Sequence, residues 1–257
     1  MTGTVRIDVR DDGVALLTLD RPGKLNAVTD EMSRELAGHV ARVDADESIR
    51  VAVLTGAGER SFCVGSDIGE VGEYPGPWQF RNRRDYCTTL RELRKPVIAA
   101  VNGYAYGGGL ELALCSDIRL ASTTSSFAAA EIKLGWIGGG GVSALLSASL
   151  PASDAALLLL TGDPVDAAEA YRMGLVSRLC EPGELLPAAL ALAATIAQRP
   201  PIAAQAAKAN LLAARNMGQA QAIQYEREMQ AICLATGDAT EGRAAFEQKR
   251  PGRFTGR

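Results

Sequence analysis

Two glutamates in apolar surroundings, each close to glycine-rich sequence, are the residues of this chain best suited to chemistry. Glu111 follows the three glycines at 107–109, and Glu131 follows the apolar run at 127–130. Burial disfavours the ionised form of a carboxylate. Two carboxylates that interact in such surroundings titrate jointly rather than independently. One carboxylate can then take a proton from a bound water while the other delivers a proton to the substrate. The pattern predicts acid–base chemistry without histidine.

Two glycine-centred turns, at residues 62–67 and 102–111, each follow a predicted strand. Glycine allows a positive φ and lets a ligand approach the main chain closely. A helix that begins at such a turn leaves its first N–H groups free and attracts negative charge. Two turns that face each other supply two backbone donors to one developing oxyanion, worth roughly 3 to 4 kcal/mol per donor. We therefore expect an oxyanion site next to Glu111.

Composition argues against several other kinds of function. The 257 residues are 47% hydrophobic and 22% charged, which is ordinary for a folded globular protein. The net charge of −3 gives no reason to expect nucleic acid or an anionic membrane as a partner. His39 is the single histidine and lies in a helical apolar pattern, so we interpret it as a helix-surface residue. We expect neither a metal nor a redox cofactor.

The cysteines and the start of the chain predict the compartment. Five widely spaced cysteines, with no Cys-x-x-Cys pair, are typical of a reducing environment. Residues 1–10 lack the basic-then-apolar order of a signal peptide. No apolar run approaches the roughly 18 residues of a membrane span. Together these features predict a cytoplasmic protein.

The elements that must position the two glutamates alternate in the first half of the chain and are helical in the second. Apolar runs with β-branched residues predict strands at 14–19, 51–54, 97–101 and 117–122. A helix is predicted at 108–115, and this alternation favours an α/β fold. Further helices are predicted at 153–160, 166–173, 182–198, 201–214, 219–234 and 240–249. The pair Pro200–Pro201 predicts a break between the core and a terminal helical segment.

Residues 96–114 closely resemble the signature of the enoyl-CoA hydratase/isomerase (crotonase) family. Further matches to the family occur in the same order, at 19–27, 62–67, 131–135 and 242–251. The resemblance covers essentially the whole chain. It implies a spiral of ββα units over residues 1–198, which holds the active site, and a C-terminal helical trimerisation segment over residues 199–257. The implied assembly is a homotrimer or a homohexamer.

The resemblance also implies a role for each site residue. The backbone N–H groups of Ser66 and Gly108 would form the oxyanion hole for a thioester carbonyl. Glu131 would exchange the proton at the α-carbon, and Glu111 would help to activate a water that the N–H of Gly139 positions. Coenzyme A belongs to the substrate, so no separate cofactor is implied. Contacts to coenzyme A or the acyl group are expected from Lys24, Leu25, Ala27, Val64, Ser66, Asp67, Ile68, Gly69, Gly108, Phe246 and Lys249.

One stretch departs from the family pattern and leaves alternatives open. Residues 138–145 have four glycines followed by Val-Ser-Ala-Leu, where the family usually has Pro-Gly-x-Gly-Gly-Thr-Gln-Arg. An enoyl-CoA hydratase of the kind used in fatty acid metabolism is favoured, because both glutamates are present. An isomerase, a specialised acyl-CoA dehydratase and a catalytically silent acyl-CoA-binding protein stay open. A loose dinucleotide fingerprint at 139–144 lacks the strand–helix–strand unit that such a site needs.

Overall fold

The computed structural model describes residues 3–257, and the strands of this range form two sheets. The strands are β1 (Thr4–Val9), β2 (Val14–Asp20), β3 (Val51–Gly56), β4 (Ser61–Cys63), β5 (Val97–Val101), β6 (Tyr104–Tyr106), β7 (Ile118–Ser122), β8 (Ser126–Ala128), β9 (Val165–Asp166) and β10 (Arg178–Cys180). The larger sheet has the order β1-β2-β3-β5-β7-β10, and the smaller sheet has the order β4-β6-β8-β9. The four predicted strands are confirmed as β2, β3, β5 and β7.

The helices of the same range surround and separate these sheets. They are α1 (Asp30–Ala45), α2 (Ile68–Val71), α3 (Pro77–Arg81), α4 (Tyr86–Arg91), α5 (Gly108–Cys115), α6 (Val142–Ser149), α7 (Ala152–Thr161), α8 (Ala167–Met173), α9 (Pro182–Ala197), α10 (Pro201–Asn216), α11 (Gln219–Leu234) and α12 (Gly237–Glu247). The predictions for α5 and α11 match to the residue. The predicted helix at 240–249 begins three residues earlier, because the Thr236 side chain caps it by accepting from the Ala239 N–H.

The larger sheet is parallel except for the antiparallel pair β1 and β2. Every residue of β3 and β5 is buried, as expected for parallel strands that are covered on both faces. One face packs against α9 through a stripe that includes Leu185, Ala189 and Ala193. The other face packs against α5 and the smaller sheet. Helix α5 is therefore held between layers of the protein, with all eight of its residues buried.

The C-terminal helices are bonded to the core of their own chain. Arg50 donates from Nη1 to the Ala197 carbonyl at 2.9 Å and from Nη2 to the Phe254 carbonyl at 2.6 Å. The buried Lys208 on α10 forms an ion pair with Asp117 at 2.9 Å. Helix α11 contributes no buried residue to this chain. The boundary at residue 198 and the assembly stay predictions. Within residues 3–257, no helix is long and apolar enough to cross a membrane.

Candidate active site

A cavity of about 430 Å³ opens where the two glycine-centred turns meet. One wall is formed by these turns, α5 and the start of α4. The opposite wall is formed by residues 130–139, which include a short 3₁₀ helix, Ala130–Leu134. Apolar side chains such as Val64, Ile68 and Trp136 line much of the space. A cavity of this size with a few convergent polar groups is typical of a small-molecule site.

The two glycine turns face each other at van der Waals distance. Gly65 has φ of +96°, and a side chain placed there would begin 2.8 Å from the Gly108 nitrogen. Gly107 has φ of +53° and starts α5. Within residues 3–257, no protein acceptor takes the N–H of Ser66 or that of Gly108. These two free donors therefore stand together at the cavity, in the arrangement that an oxyanion hole requires.

Local bonding fixes the loop that carries Ser66. The Val28 N–H donates to the Gly65 carbonyl and the Asp67 N–H donates to the Val28 carbonyl, both at 2.8 Å. Arg21 forms an ion pair with Asp67 at 2.5 Å, and its hydrogen bond is the main cause that lowers the pKa of that carboxyl. Asp67 thus ties the loop to the segment that precedes α1. The main-chain donor of Ser66 is preorganised by these contacts.

Glu111 is fixed and buried on α5, with 4% of its surface exposed. Its Oε1 accepts from the Gly140 N–H at 2.8 Å and from the Val142 N–H at 3.2 Å. Burial, and after it the charge of Glu131, raise the pKa of Glu111 to about 7, although the two backbone donors favour the ionised form. A carboxyl group poised near neutral pH is suited to proton transfer.

Glu131 is the second residue of the 3₁₀ helix and is partly buried. Its Oε2 is enclosed and has no hydrogen-bond partner within the described chain. Burial raises the pKa of Glu131. The Oε1 atoms of both glutamates lie within 3.1 Å of the point where a Gly138 side chain would begin. The absence of a side chain at Gly138 therefore leaves the space between the two carboxylates open for a small reactant.

The structure gathers part of the residue set that the sequence predicted. Val64, Ser66, Ile68, Gly108, Glu111, Glu131 and Gly139 line the cavity. Gly140, next to the predicted water-positioning Gly139, is the glycine whose N–H bonds to Glu111. Outside the cavity lining in this chain lie Lys24, Leu25, Ala27, Asp67, Gly69, Phe246 and Lys249. Phe246 is 86% exposed and is not among the residues that line this cavity. The roles of these residues stay predictions.

Two functional candidates, Tyr86 and Arg83, were not singled out from the sequence, although residues 70–86 as a stretch were expected to form part of the acyl pocket and several of them line the cavity. Tyr86 is buried, and its hydroxyl lies 3.1 Å from the Ser66 Oγ and directly against Gly108. Burial is the main cause that raises the pKa of Tyr86 well above its usual value. Arg83, three residues earlier, also lines the cavity. The available signal was Asp85, which caps α4 by accepting from the Cys87 and Thr88 N–H groups and so sets Tyr86 at the first helical position.

Among residues 3–257, no group of three or more His, Cys, Asp or Glu side chains is arranged to hold a metal ion. His39 has a structural contact instead, with Nε2 at 2.8 Å from the Val5 carbonyl. It lies on α1, as predicted, and does not line the cavity.

The two sheets and the helical C-terminal region define a crotonase-like α/β protein. The enoyl-CoA hydratase/isomerase family matches residues 9–257, so the chain belongs to this family. The (E)-benzylidenesuccinyl-CoA hydratase of Thauera aromatica is 39% identical over 245 residues, which are 95% of this chain and 96% of that protein. The short-chain-enoyl-CoA hydratase of Clostridium acetobutylicum is 34% identical over 251 residues, covering 94% of each protein.

Solved structures agree with this assignment. The crystal structure of an enoyl-CoA hydratase from Bacillus anthracis has a TM-score of 0.94 and 31% identity, covering 99% of this chain and 100% of that chain. The enoyl-CoA hydratase from Mycobacterium tuberculosis has a TM-score of 0.88 and 35% identity, covering 98% and 99%. The predicted crotonase-like α/β fold with a helical C-terminal region is confirmed.

Proposed function

We propose that this protein is an enoyl-CoA hydratase that adds water reversibly across the 2,3 double bond of a 2-enoyl-CoA thioester. One observation carries the proposal: the buried Glu111 and the partly buried Glu131 flank an open point in the cavity that two free backbone N–H groups also border. An oxyanion hole alone serves many thioester reactions. A second carboxylate at the same point adds the ability to hold and split a water.

The electron flow ends at the thioester oxygen. The water oxygen attacks C3, the electron pair of the double bond moves between C2 and C1, and the carbonyl oxygen becomes negative. The N–H groups of Ser66 and Gly108 then donate to this oxygen. Their contribution is greater in the enolate than in the ground state, because the negative charge develops only during the reaction.

The two glutamates balance the protons. Glu111 takes one proton from the water as the C3–O bond forms, and Glu131 gives one proton to C2 as the enolate returns to a thioester. The N–H of Gly139 helps to hold the water. A proton then returns from Glu111 to Glu131, so that the overall reaction adds one water. Burial raises the pKa of both groups, and two neighbouring carboxyl groups of this kind titrate jointly.

The hydrogen bonds of the two carboxyl groups support this division of labour. Two backbone donors on Oε1 stabilise the ionised form of Glu111, which is the form of a general base. The enclosed Oε2 of Glu131 has no donor among residues 3–257, which favours the protonated form. The protonated group is the one that can deliver a proton to carbon.

We also propose that coenzyme A is held partly by a neighbouring subunit of a homotrimer or homohexamer in the cytoplasm. Lys24, Leu25, Ala27 and Gly69 would contact coenzyme A from one chain, and Phe246 and Lys249 from the next. The exposure of Phe246, and of apolar side chains on α11 such as Ile232 and Leu234, supports such an assembly. Light scattering measures the mass of the protein in solution, and the mass of a monomer would contradict the proposed assembly.

The experiment is the loss of the conjugated thioester absorbance of crotonyl-CoA, in parallel for the wild type, Glu111→Gln and Glu131→Gln. Each substitution is expected to lower kcat by about a hundredfold or more, in line with the loss of general acid–base catalysis. Conversion of a 3-enoyl-CoA to the 2-enoyl isomer, without consumption of crotonyl-CoA, would assign an isomerase instead. Binding of acyl-CoA without turnover of either thioester would assign the silent alternative.

A further inference from the structure

The cavity holds one cation whose purpose the hydration mechanism does not explain. Arg83 is the single lysine or arginine among the residues that line the cavity in the described chain. The guanidinium is partly buried and lies over the Phe80 ring, with Cζ 4.0 Å from the ring centroid. Its Nη1 donates to the Phe80 carbonyl at 2.9 Å. These contacts hold the guanidinium in place and leave its other N–H groups free.

No carboxylate among residues 3–257 forms an ion pair with this guanidinium. Within residues 3–257, none of the ion pairs includes Arg83. The Asp85 carboxylate caps α4 and also accepts from the Thr88 hydroxyl at 2.6 Å. Glu70 accepts from the Asp30 N–H at 2.7 Å, and Asp30 accepts from the Tyr74 hydroxyl at 3.0 Å. The side chains of Asp30, Glu70 and Asp85, which line cavities together with Arg83, therefore accept hydrogen bonds from other groups.

Arg83 lies close to the glycines that border the two glutamates. Its Nη2 lies 3.6 Å from the point where a Gly139 side chain would begin. The equivalent point at Gly138, one residue earlier, is beside both catalytic carboxylates. Consecutive Cα atoms are about 3.8 Å apart, so the free guanidinium lies within the length of a few carbon–carbon bonds of the point between the two carboxylates. A cation among apolar walls is stabilised by an anion that brings bidentate hydrogen bonds.

We propose that Arg83 binds a carboxylate at the far end of the acyl group, so that the preferred substrates are 2-enoyl-CoA thioesters of dicarboxylic acids. This inference rests on the proposed hydratase activity. Arg83 acts as a specificity-determining residue and takes no part in proton transfer. The half of the cavity beyond Glu111 and Glu131 thereby selects charged acyl groups over hydrocarbon ones.

The test compares two thioesters that differ only at the end of the chain, 2-hexenedioyl-CoA and 2-hexenoyl-CoA. The wild type is expected to favour the dicarboxylic thioester in kcat/KM by about tenfold or more, the range of a charge-assisted hydrogen bond. Arg83→Gln should lower kcat/KM for 2-hexenedioyl-CoA by about tenfold and change that for 2-hexenoyl-CoA by less than about threefold. Arg83→Lys should retain part of the preference and Arg83→Glu should invert it.

Arg81→Gln is the matched control, because Arg81 is an exposed arginine two residues away that lies outside the cavity lining. This substitution should leave kcat/KM unchanged for both thioesters. Equal losses on both thioesters in Arg83→Gln would mean that Arg83 binds a phosphate of coenzyme A or supports the fold, and would overturn the inference. Equal wild-type rates on both thioesters would overturn it as well, while the hydratase function stands.

Failure of the proposed hydratase function can be distinguished from failure of the proposed role of Arg83. If the wild type hydrates neither thioester, calorimetric binding of the saturated adipoyl-CoA and hexanoyl-CoA still decides the role of Arg83. Tighter binding of adipoyl-CoA that is lost in Arg83→Gln supports the carboxylate site. Equal affinities for the two saturated thioesters reject it.

Discussion

The two walls of the cavity carry one glutamate each and are built in opposite ways. Helix α5 holds Glu111 with all eight helical residues buried, whereas the wall at 130–139 exposes much of Leu134, Trp136 and Ile137. The Glu111 carboxylate is bonded to the backbone of Gly140 and Val142, while Glu131 has an enclosed oxygen without a partner. The proposed base, Glu111, is thus fixed by the core, whereas the proposed proton donor, Glu131, lies on the more exposed wall.

After removal of the carboxylates themselves, the largest effect is expected from crowding the fixed glutamate. A side chain at Gly140 would begin 2.6 Å from the Glu111 Oε2 and 2.9 Å from Cys87, so Gly140→Ala must displace the carboxylate. We expect kcat/KM on the preferred thioester to fall by about tenfold to a hundredfold, since small errors in position are costly in catalysis. Gly38→Ala on α1 is the control, because nothing lies within 4 Å of the added methyl group. An unchanged rate in Gly140→Ala would show that the Glu111 wall is not rigid.

The pH profile tests which glutamate acts as the base. Glu111 must be ionised to accept a proton from water, and its pKa is about 7. We expect kcat/KM to fall by about tenfold per pH unit below that value and to level off above it. This fall in rate at low pH should be absent from the residual activity of Glu111→Gln. A rate that stays constant down to pH 5.5 in the wild type contradicts the assignment.

The cost of burying Glu111 should be visible in stability. Because the folded pKa of about 7 exceeds the ordinary 4.5, stability is lost as pH rises between these values and is constant above them. Glu111→Gln removes this loss, so urea unfolding at pH 8 should show the variant to be more stable by about 2 to 3 kcal/mol. The difference should vanish below pH 4.5. Glu131→Gln, on the more open wall, should gain less; an equal gain would contradict the contrast between the walls.

The smallest effect is expected at the side chain of Ser66. Ser66→Ala keeps the main-chain N–H that serves the oxyanion and loses only the hydrogen bond between Oγ and the Tyr86 hydroxyl. A neutral hydrogen bond contributes about 1 kcal/mol, so kcat/KM should change by less than about fivefold. Tyr86→Phe removes the same bond from the other partner and should behave alike. A much larger loss in Tyr86→Phe alone would reveal that its hydroxyl acts on the oxyanion directly.

The helices and strands were predicted correctly from the sequence where the local signals are strong. The glycine turn and the apolar run fixed α5 to the residue, and four buried runs marked β2, β3, β5 and β7. Strand β1 was missed although Val5 and Ile7 alternate with polar residues, as in a strand with one buried face. Helices α2 to α4 were missed because they are four to six residues long and owe their form to capping residues and tertiary contacts.

The sequence by itself determined the family, the crotonase-like fold and the two candidate glutamates, because these depend on residue types at fixed spacing along the chain. Tertiary structure alone decided that Gly140 and Val142 donate to Glu111, that Tyr86 lies against Gly108 and that Arg83 lies in the cavity without an ion-pair partner. These partners come from segments separated by some 20 to 30 positions in the chain. No local pattern encodes such distances, since they result from how buried helices and loops pack around one core.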